Sequence, residues 1–317
     1  MKKETTYNPI VAIIIPVYNG SNYVEEAIIS ALDQSYKKVK VIVVNDGSSD
    51  NGKTRDVILR YIDRITYIEK ENGGVSSALN EGIKNTEADY ICWLSHDDVY
   101  RYDKVEIQIN ALRNIEDQTE KIIVGCNDVL IDSSGNSIRQ RNTFKKNILF
   151  TSAEFLKLLL LKTNVNGCSL LIPKDVFLTN QFDYELRYIQ DYYMWINLAL
   201  QGCQFMAISE YCVYNRVHGL QQTNLITNKT FLTERKLLDD FLLYTFFNTK
   251  NDDYKKVIYL FLRTSNNSDL RVQMKRVKDY KKTVILEGQT VLILIKKTIL
   301  MLFKKCYNLI YISRFRR

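Results

Sequence analysis

Four short apolar runs punctuate the first third of the chain, at residues 10–16 (IVAIIIP), 39–44 (VKVIVV), 65–68 and 88–94. They are rich in β-branched or aromatic residues and have the length of buried strands. The stretches between them change period. Residues 22–35 place Val24, Ala27, Ile28, Ala31 and Leu32 at helical spacing, and 55–62 and 75–84 do the same, the latter behind the turn Asn72-Gly73-Gly74. Strand alternating with helix predicts an α/β fold with a parallel sheet and right-handed crossovers. Further on, a helix is expected at 102–112, strands at 122–124 and 126–131 before the turn Ser133-Ser134-Gly135, and an apolar helix at 153–161. A strand is expected at 167–173. Residues 191–199 form a helix with Tyr192, Trp195 and Ile196 on one side, and 205–216 carry one more strand. No internal repeat or low-complexity segment interrupts this order.

Polar residues follow three of the early strands: Tyr18-Asn19-Gly20, Asn45-Asp46-Gly47-Ser48 and Ser95-His96-Asp97-Asp98. Ligands of open parallel sheets bind beyond the carboxyl ends of the strands. The three clusters are therefore expected to meet at one crevice.

Composition adds a boundary to this picture. Apolar and aromatic residues make up 46% of the 317, with 3 Pro and 12 Gly, so a sizeable core is available and disorder is not indicated. The net charge of +8 is uneven. Residues 271–317 hold 13 Lys or Arg against Asp279 and Glu287, a net of +11, which leaves the rest mildly acidic at −3. That is one local contact with something anionic, not a nucleic-acid surface spread over a domain. The apolar runs 291–295 and 299–303 are each followed by two lysines, and no uncharged stretch reaches the ~18 residues of a spanning helix. The tail reads as an interfacial helix on anionic lipid, its ordinary alternative being a helix packed on the globule with a solvated Lys face. None of the six cysteines forms a C-x-x-C pair, which argues against a zinc knuckle, and the polar residues 1–8 lack an apolar signal core. The expected location is the cytoplasm, at the inner face of the plasma membrane. The expected divisions are 1–220, a helical region 221–283 and a basic amphipathic tail 284–317.

The order of the motifs is more specific than any one of them. PVYN (16–19), VVNDGSSD (43–50), ENGGVSSALN (71–80), WLSHDDVY (93–100), NGCSLLIPKDVF (166–177), IQDYYMWINLALQG (189–202) and YNRVHG (214–219) together resemble the family 2 glycosyltransferases of the GT-A fold, over residues 8–220. The resemblance implies a mostly parallel sheet flanked by helices, followed by a C-terminal helical extension. It implies inverting transfer of a sugar from a nucleotide-sugar, commonly UDP-linked, to a glycan or lipid-linked hydroxyl, in bacterial surface polysaccharide or cell-wall assembly. Pro16, Tyr18, Asn19, Asp46, Asn72, Ser95, Asp97 and His218 would contact the donor. Asp97, Asp98 and His218 would hold Mg²⁺ or Mn²⁺. Asp191 would be the general base, and Arg216 would meet the diphosphate.

The residue chemistry suits these roles. Carboxylates accept from ribose hydroxyls and base N–H groups, and hard divalent cations want oxygen ligands that bridge to diphosphate. A base must sit within hydrogen-bond reach of the attacking hydroxyl, and direct attack needs no enzyme nucleophile. Each residue also has an ordinary alternative. Asp46 could be a solvated turn residue, Asp97 and Asp98 a helix-capping pair, Asp191 an N-cap and His218 a structural loop histidine. His96 is expected to be a spacer. Three positions depart from the family pattern: Ser95 for the first Asp of D-x-D, Gln190 before Asp191, and Leu79 where Arg is frequent. Two rival classes remain at this stage. A dinucleotide oxidoreductase would need G-x-G-x-x-G after the first strand, where Pro16-Val17-Tyr18-Asn19-Gly20 stands instead. A non-catalytic nucleotide-sugar-binding or membrane scaffold protein would show such departures, but Asp46, Asp97 and Asp191 are all kept.

Overall fold

The computed structural model describes residues 7–115, 121–163, 165–219, 221 and 227–264. The basic tail at 284–317, and the part of the helical region from 265 onwards, lie outside the described residues. The chain divides into two compact units, one up to Arg235 and one from Lys236.

The first unit is built on a ten-stranded sheet. In chain order its early elements are β1 (Val11–Val17), α1 (Val24–Leu32), β2 (Val39–Asp46), α2 (Lys53–Leu59), β3 (Thr66–Lys70), α3 (Val75–Lys84) and β4 (Tyr90–Trp93). β1 pairs in parallel with β2 and β4, and β2 pairs in parallel with β3. All seven residues of β1 are buried, as a strand covered by helices on both faces requires. Its alternate residues serve two layers. Ile13, Ile15 and Val17 join one core cluster with Val24, Ala27 and Ile28 of α1 and Ile58 of α2. Ile14 faces α3, which comes close because Gly82 has no side chain: a Cβ there would lie 2.6 Å from Ile14. Pro16 is accommodated in this central strand because pairing with β4 ends at Ile14↔Trp93, so its missing N–H falls beyond the ladder.

Past β4 the sheet becomes mixed. The elements are β5 (Val99–Tyr100), α4 (Lys104–Arg113), β6 (Ile122–Ile131), β7 (Ser137–Arg141), β8 (Ile148–Phe150), α5 (Ser152–Leu161), β9 (Leu170–Pro173), α6 (Gln190–Leu200) and β10 (Gln204–Arg216). The strand order is β3-β2-β1-β4-β9-β6-β10-β5, with β7 on β6 and β8 on β10. α4 adds Val105, Ile109 and Leu112 to the same core cluster as α1. α5 starts at a capping box in which Thr151 and Glu154 satisfy each other's backbone.

Two expected strands, 122–124 and 126–131, are one continuous β6. Gly125 is a packing glycine, not a break: a Cβ there would sit 2.5 Å from the Phe205 ring. The expected strand at 167–173 opens as a 3₁₀ turn at Gly167–Ser169 and becomes β9 only at Leu170. β10 runs 13 residues but shifts register against β6 between Ala207 and Val213. The short strands β5, β7 and β8 carry no sequence periodicity and were not foreseen.

Among the described residues two helices follow β10 in chain order, α7 (Asn228–Asn248) and α8 (Asp252–Thr264). Within the second unit, Asn251 caps α8 by accepting from the N–H groups of Asp253 and Tyr254, and the Phe246 and Tyr259 rings meet at 6.3 Å. Among the described residues no helix is long and apolar enough to cross a membrane.

Candidate active site

The parallel pairing of β3, β2, β1 and β4 places all four carboxyl ends on one edge of the sheet. The β1 loop leads the way. Tyr18 is half-exposed, and its hydroxyl lies 3.3 Å from Ser49 Oγ. Asn19, at φ 50°, donates its N–H to Ser48 Oγ (2.9 Å) and accepts from the Ser49 N–H (2.7 Å). Ser48 and Ser49 thus tie the loop after β2 to the loop after β1. Gly20 lies directly against the His96 ring, where any Cβ would collide, so the loop after β4 joins the same edge.

Asp46 ends β2 almost fully buried. Its Oδ1 accepts from Lys70 Nζ (2.8 Å) and the Gly73 N–H (3.0 Å), and its Oδ2 accepts from the Gly74 N–H (2.7 Å). Asn72 Nδ2 donates to the Asp46 carbonyl (3.0 Å). Three of the roughly four acceptor positions of this carboxylate are filled, which leaves room for one ligand donor. Asp46 is therefore no solvated turn residue; it holds the Asn72-Gly73-Gly74 loop over the strand end. α3 follows this loop with no side-chain cap on its first turn. Leu79 is core, and Asn80 clamps Phe182 through two reciprocal bonds of 2.8 and 2.9 Å.

The β4 end divides its polar residues between solvent and interior. Ser95 Oγ meets the buried Cys168 Sγ at 3.3 Å. Desolvation lowers the pKa of the His96 imidazole. Asp97 Oδ2 lies 3.0 Å from His218 Nε2, and both side chains retain slight exposure. Asp98, expected beside Asp97 as a metal ligand, is buried with both oxygens engaged by β10: Oδ1 accepts from the Arg216 N–H (2.9 Å) and Oδ2 from Asn215 Nδ2 (2.8 Å). Burial, and then the Asp97 charge, push the Asp98 pKa up to about 7. β5 makes this meeting possible. By pairing antiparallel with Val213 and Tyr214 it lays the residues after β4 alongside the end of β10.

Arg216 does not reach toward a diphosphate. It is 1% exposed and fully engaged: Nε donates to the Asp97 carbonyl (2.9 Å), Nη1 to the Asp132 and Ser133 carbonyls, and Nη2 to Glu26 (2.6 Å). Its guanidinium covers the Tyr23 ring at 4.6 Å, and the same ring lies 5.1 Å from His218.

Asp191 occupies the second position of α6. The N-cap is Ile189, so Asp191 is not the cap. Its Oδ1 accepts from the Tyr192 N–H (2.6 Å), and desolvation pushes its pKa up to about 6. That is the range of a working base near neutral pH. α6 is seated near the β4 end by aromatic packing. Phe182 meets Trp93 edge-on at 6.2 Å and Trp195 at 6.0 Å, and Gly167 lets Trp93 approach to 2.5 Å from where a Cβ would stand. The loop before α6 also touches the site: Arg187 Nη1 lies 3.4 Å from the Gly73 carbonyl and covers Gly74. Gly20, Ser48, Ser49 and Asn215 lie in the strand-end clusters and motifs but carry no assigned role in the sequence reading, and Arg187 lies outside all of them. Their contacts run through backbone groups and close approaches that leave no residue pattern.

Among the described residues no group of three or more His, Cys, Asp or Glu is arranged to hold a metal ion. The pair Asp97–His218 nevertheless fits a divalent cation that takes its other ligands from phosphate and water, since Mg²⁺-type sites use one or two protein groups in this way.

Comparison with known proteins agrees with this architecture. The fold matches the crystal structure of S. aureus TarS 1–349 in complex with UDP-GlcNAc, with a TM-score of 0.64 over 80% of this chain and 72% of that one, at 14% identity. An uncharacterized glycosyltransferase of Rickettsia typhi is 43% identical over 231 residues, 72% of this chain and 70% of that protein. The Bacillus subtilis glycosyltransferase TuaG, named for teichuronic acid biosynthesis, is 35% identical over 113 residues, 34% of this chain and 44% of that one. The model of glycosyl transferase family 2 matches residues 12–178. The chain belongs to glycosyl transferase family 2, with a GT-A-like α/β fold and C-terminal helices, and is a glycosyltransferase enzyme.

Proposed function

We propose that this glycosyltransferase moves a sugar from a nucleotide-sugar, probed first as a UDP-sugar, to a hydroxyl of a glycan or lipid-linked acceptor with inversion. The observation that carries this reading is the meeting of Asp97 and His218 at 3.0 Å on the edge where Asp46 shapes the Asn72-Gly73-Gly74 loop. The nucleoside would lie between Tyr18, Asn19 and the free acceptor position of Asp46, with Pro16 setting the loop path and Ser95 and Asn72 lining the sugar-phosphate. The TarS complex with UDP-GlcNAc supports a UDP-sugar as the first donor to test.

Mg²⁺ or Mn²⁺ would be held by Asp97 and His218, with Asp98 fixing the pair from below. When bound, the ion supplies Lewis-acid charge that offsets the departing diphosphate. The protein's own step is proton removal. Asp191, ionised above about pH 6, takes the proton of the acceptor hydroxyl as that oxygen attacks the anomeric carbon and the sugar–phosphate bond breaks. Polysaccharide assembly as the setting is supported by TuaG, and the basic tail at 284–317 would bring the enzyme to the inner membrane surface.

The test is a panel of nucleotide-sugars with and without Mn²⁺, scored by thermal shift and then by nucleotide release. A ligand that binds only the folded form raises the melting point, by ~2.7 kcal/mol equivalent at 100 times its Kd. A metal-dependent shift with at least one UDP-sugar is expected. No shift from any nucleotide-sugar would sink the donor assignment.

A further inference from the structure

Asp191 stands where the α6 backbone begins, yet α6 does little to fix that beginning. Ile189 at the N-cap has no side-chain acceptor for the free N–H groups. The segment that leads into the helix, up to the N-cap itself, is instead held by an acceptor 45 residues beyond Ile189. Glu234, in the part of α7 that belongs to the first unit, is 4% exposed. Its Oε1 accepts from the Arg187 N–H (2.8 Å), and its Oε2 from the N–H groups of Tyr188 (2.9 Å) and Ile189 (3.0 Å). Three consecutive amides on one carboxylate make a nest, closed by charge-assisted bonds of the stronger kind. The Tyr188 ring meets Phe231 of the same helix edge-on at 5.2 Å, a second tie between the same two segments. Two residues after the last of these amides comes Asp191.

We propose that Glu234 is a positioning residue for sugar transfer: it fixes the start of α6 and so holds the Asp191 carboxylate at the attacking hydroxyl. The inference rests on Asp191 being the base. Glu234 is spent on backbone amides and touches no reacting atom. Its removal frees the 187–189 segment and lets Asp191 drift, and a drift of about 1 Å is enough to cost roughly 10²-fold in rate. The residue lies outside the stretch matched by the family model and in none of the sequence motifs.

The test uses the full chain with Glu234→Ala and Glu234→Gln, each alone and combined with Asp191→Asn. Readouts are UDP release from the UDP-sugar panel at saturating donor, the Kd for UDP, and hydrogen exchange at the amides of 187–189. Glu234→Ala is expected to lower kcat by about 30- to 100-fold while the UDP Kd stays within about 3-fold, with faster exchange at the three amides. Glu234→Gln should recover most of the rate, to within about 10-fold of the parent, because its carbonyl still accepts from up to two amides. In the Asp191→Asn background Glu234→Ala should cost nothing further, as expected for groups acting as one unit. An unchanged kcat, or an equal loss in both backgrounds, would overturn the proposal. Should Glu234→Ala not fold, Glu234→Gln read in the two backgrounds makes the same comparison. A wrong base assignment would be visible separately, as full activity of Asp191→Asn alone.

Discussion

At the scale of single residues, the account turns on Asp191. Its ordinary alternative, an N-cap, is removed by the position of Ile189, and what remains is a half-buried carboxylate with a pKa raised to about 6. Activity should therefore fall roughly tenfold per pH unit below about pH 6 and level off above it, read as log kcat against pH. The sign for stability is opposite. A folded pKa above the unfolded value of ~3.9 favours the native state at low pH, and this contribution is lost as pH rises through about 6. Asp191→Asn should then abolish most transfer, by about 10²–10⁴-fold, and yet melt no lower than the parent at pH 7, with a gain of up to about 1–2 kcal/mol after allowance for partial exposure. A large drop in melting temperature would mean that the side chain is structural. The positions of Asp46, Asp97 and Asp191 were legible because strand ends and motif order mark them. Arg187 and Glu234 were not, since a side chain bonded to backbone amides imposes no pattern on the sequence around it.

At the scale of elements, the loops are held by groups that the sequence shows as ordinary turn residues. Gly74 adopts φ 84°, which disfavours any side chain, and a Cβ there would also displace the Arg187 guanidinium that lies on it. Gly74→Ala should destabilise the protein by about 1–3 kcal/mol and weaken UDP binding, measured by urea unfolding and calorimetry. Asn80 makes two bonds to Phe182, the ring that couples Trp93 of β4 to Trp195 of α6. Asn80→Ala should cost about 1–3 kcal/mol by leaving buried backbone groups unpaired, visible as a lower urea midpoint at unchanged slope. The strand–helix alternation of the first half was readable because buried strands there are continuous apolar runs. The mixed half was less so: β5, β7 and β8 are two to five residues long and draw their place from pairing partners distant in sequence.

At the scale of the whole molecule, β10 does what no early motif could. It carries Asn215 and Arg216 to Asp98 and the Asp97 carbonyl, and delivers His218 to the Asp97 carboxylate. Arg216 is the buried strut of this arrangement, and its exchange for Met should cost about 2–4 kcal/mol by orphaning three carbonyls and removing a charge partner. Beyond the described residues, the basic tail makes its own prediction. Neutralising Lys296, Lys297, Lys304 and Lys305 should remove salt-sensitive binding to anionic vesicles, at about 1 kcal/mol per lysine, and leave neutral vesicles unbound before and after.

The most direct measurement is a crystal structure of the chain with UDP and Mn²⁺. The account predicts the diphosphate between the Asp97–His218 pair and the loop shaped by Asp46, with the Asp191 carboxylate facing the side where the anomeric carbon would stand. A diphosphate bound elsewhere, or an Asp191 walled off from it by intervening protein, would contradict the mechanism.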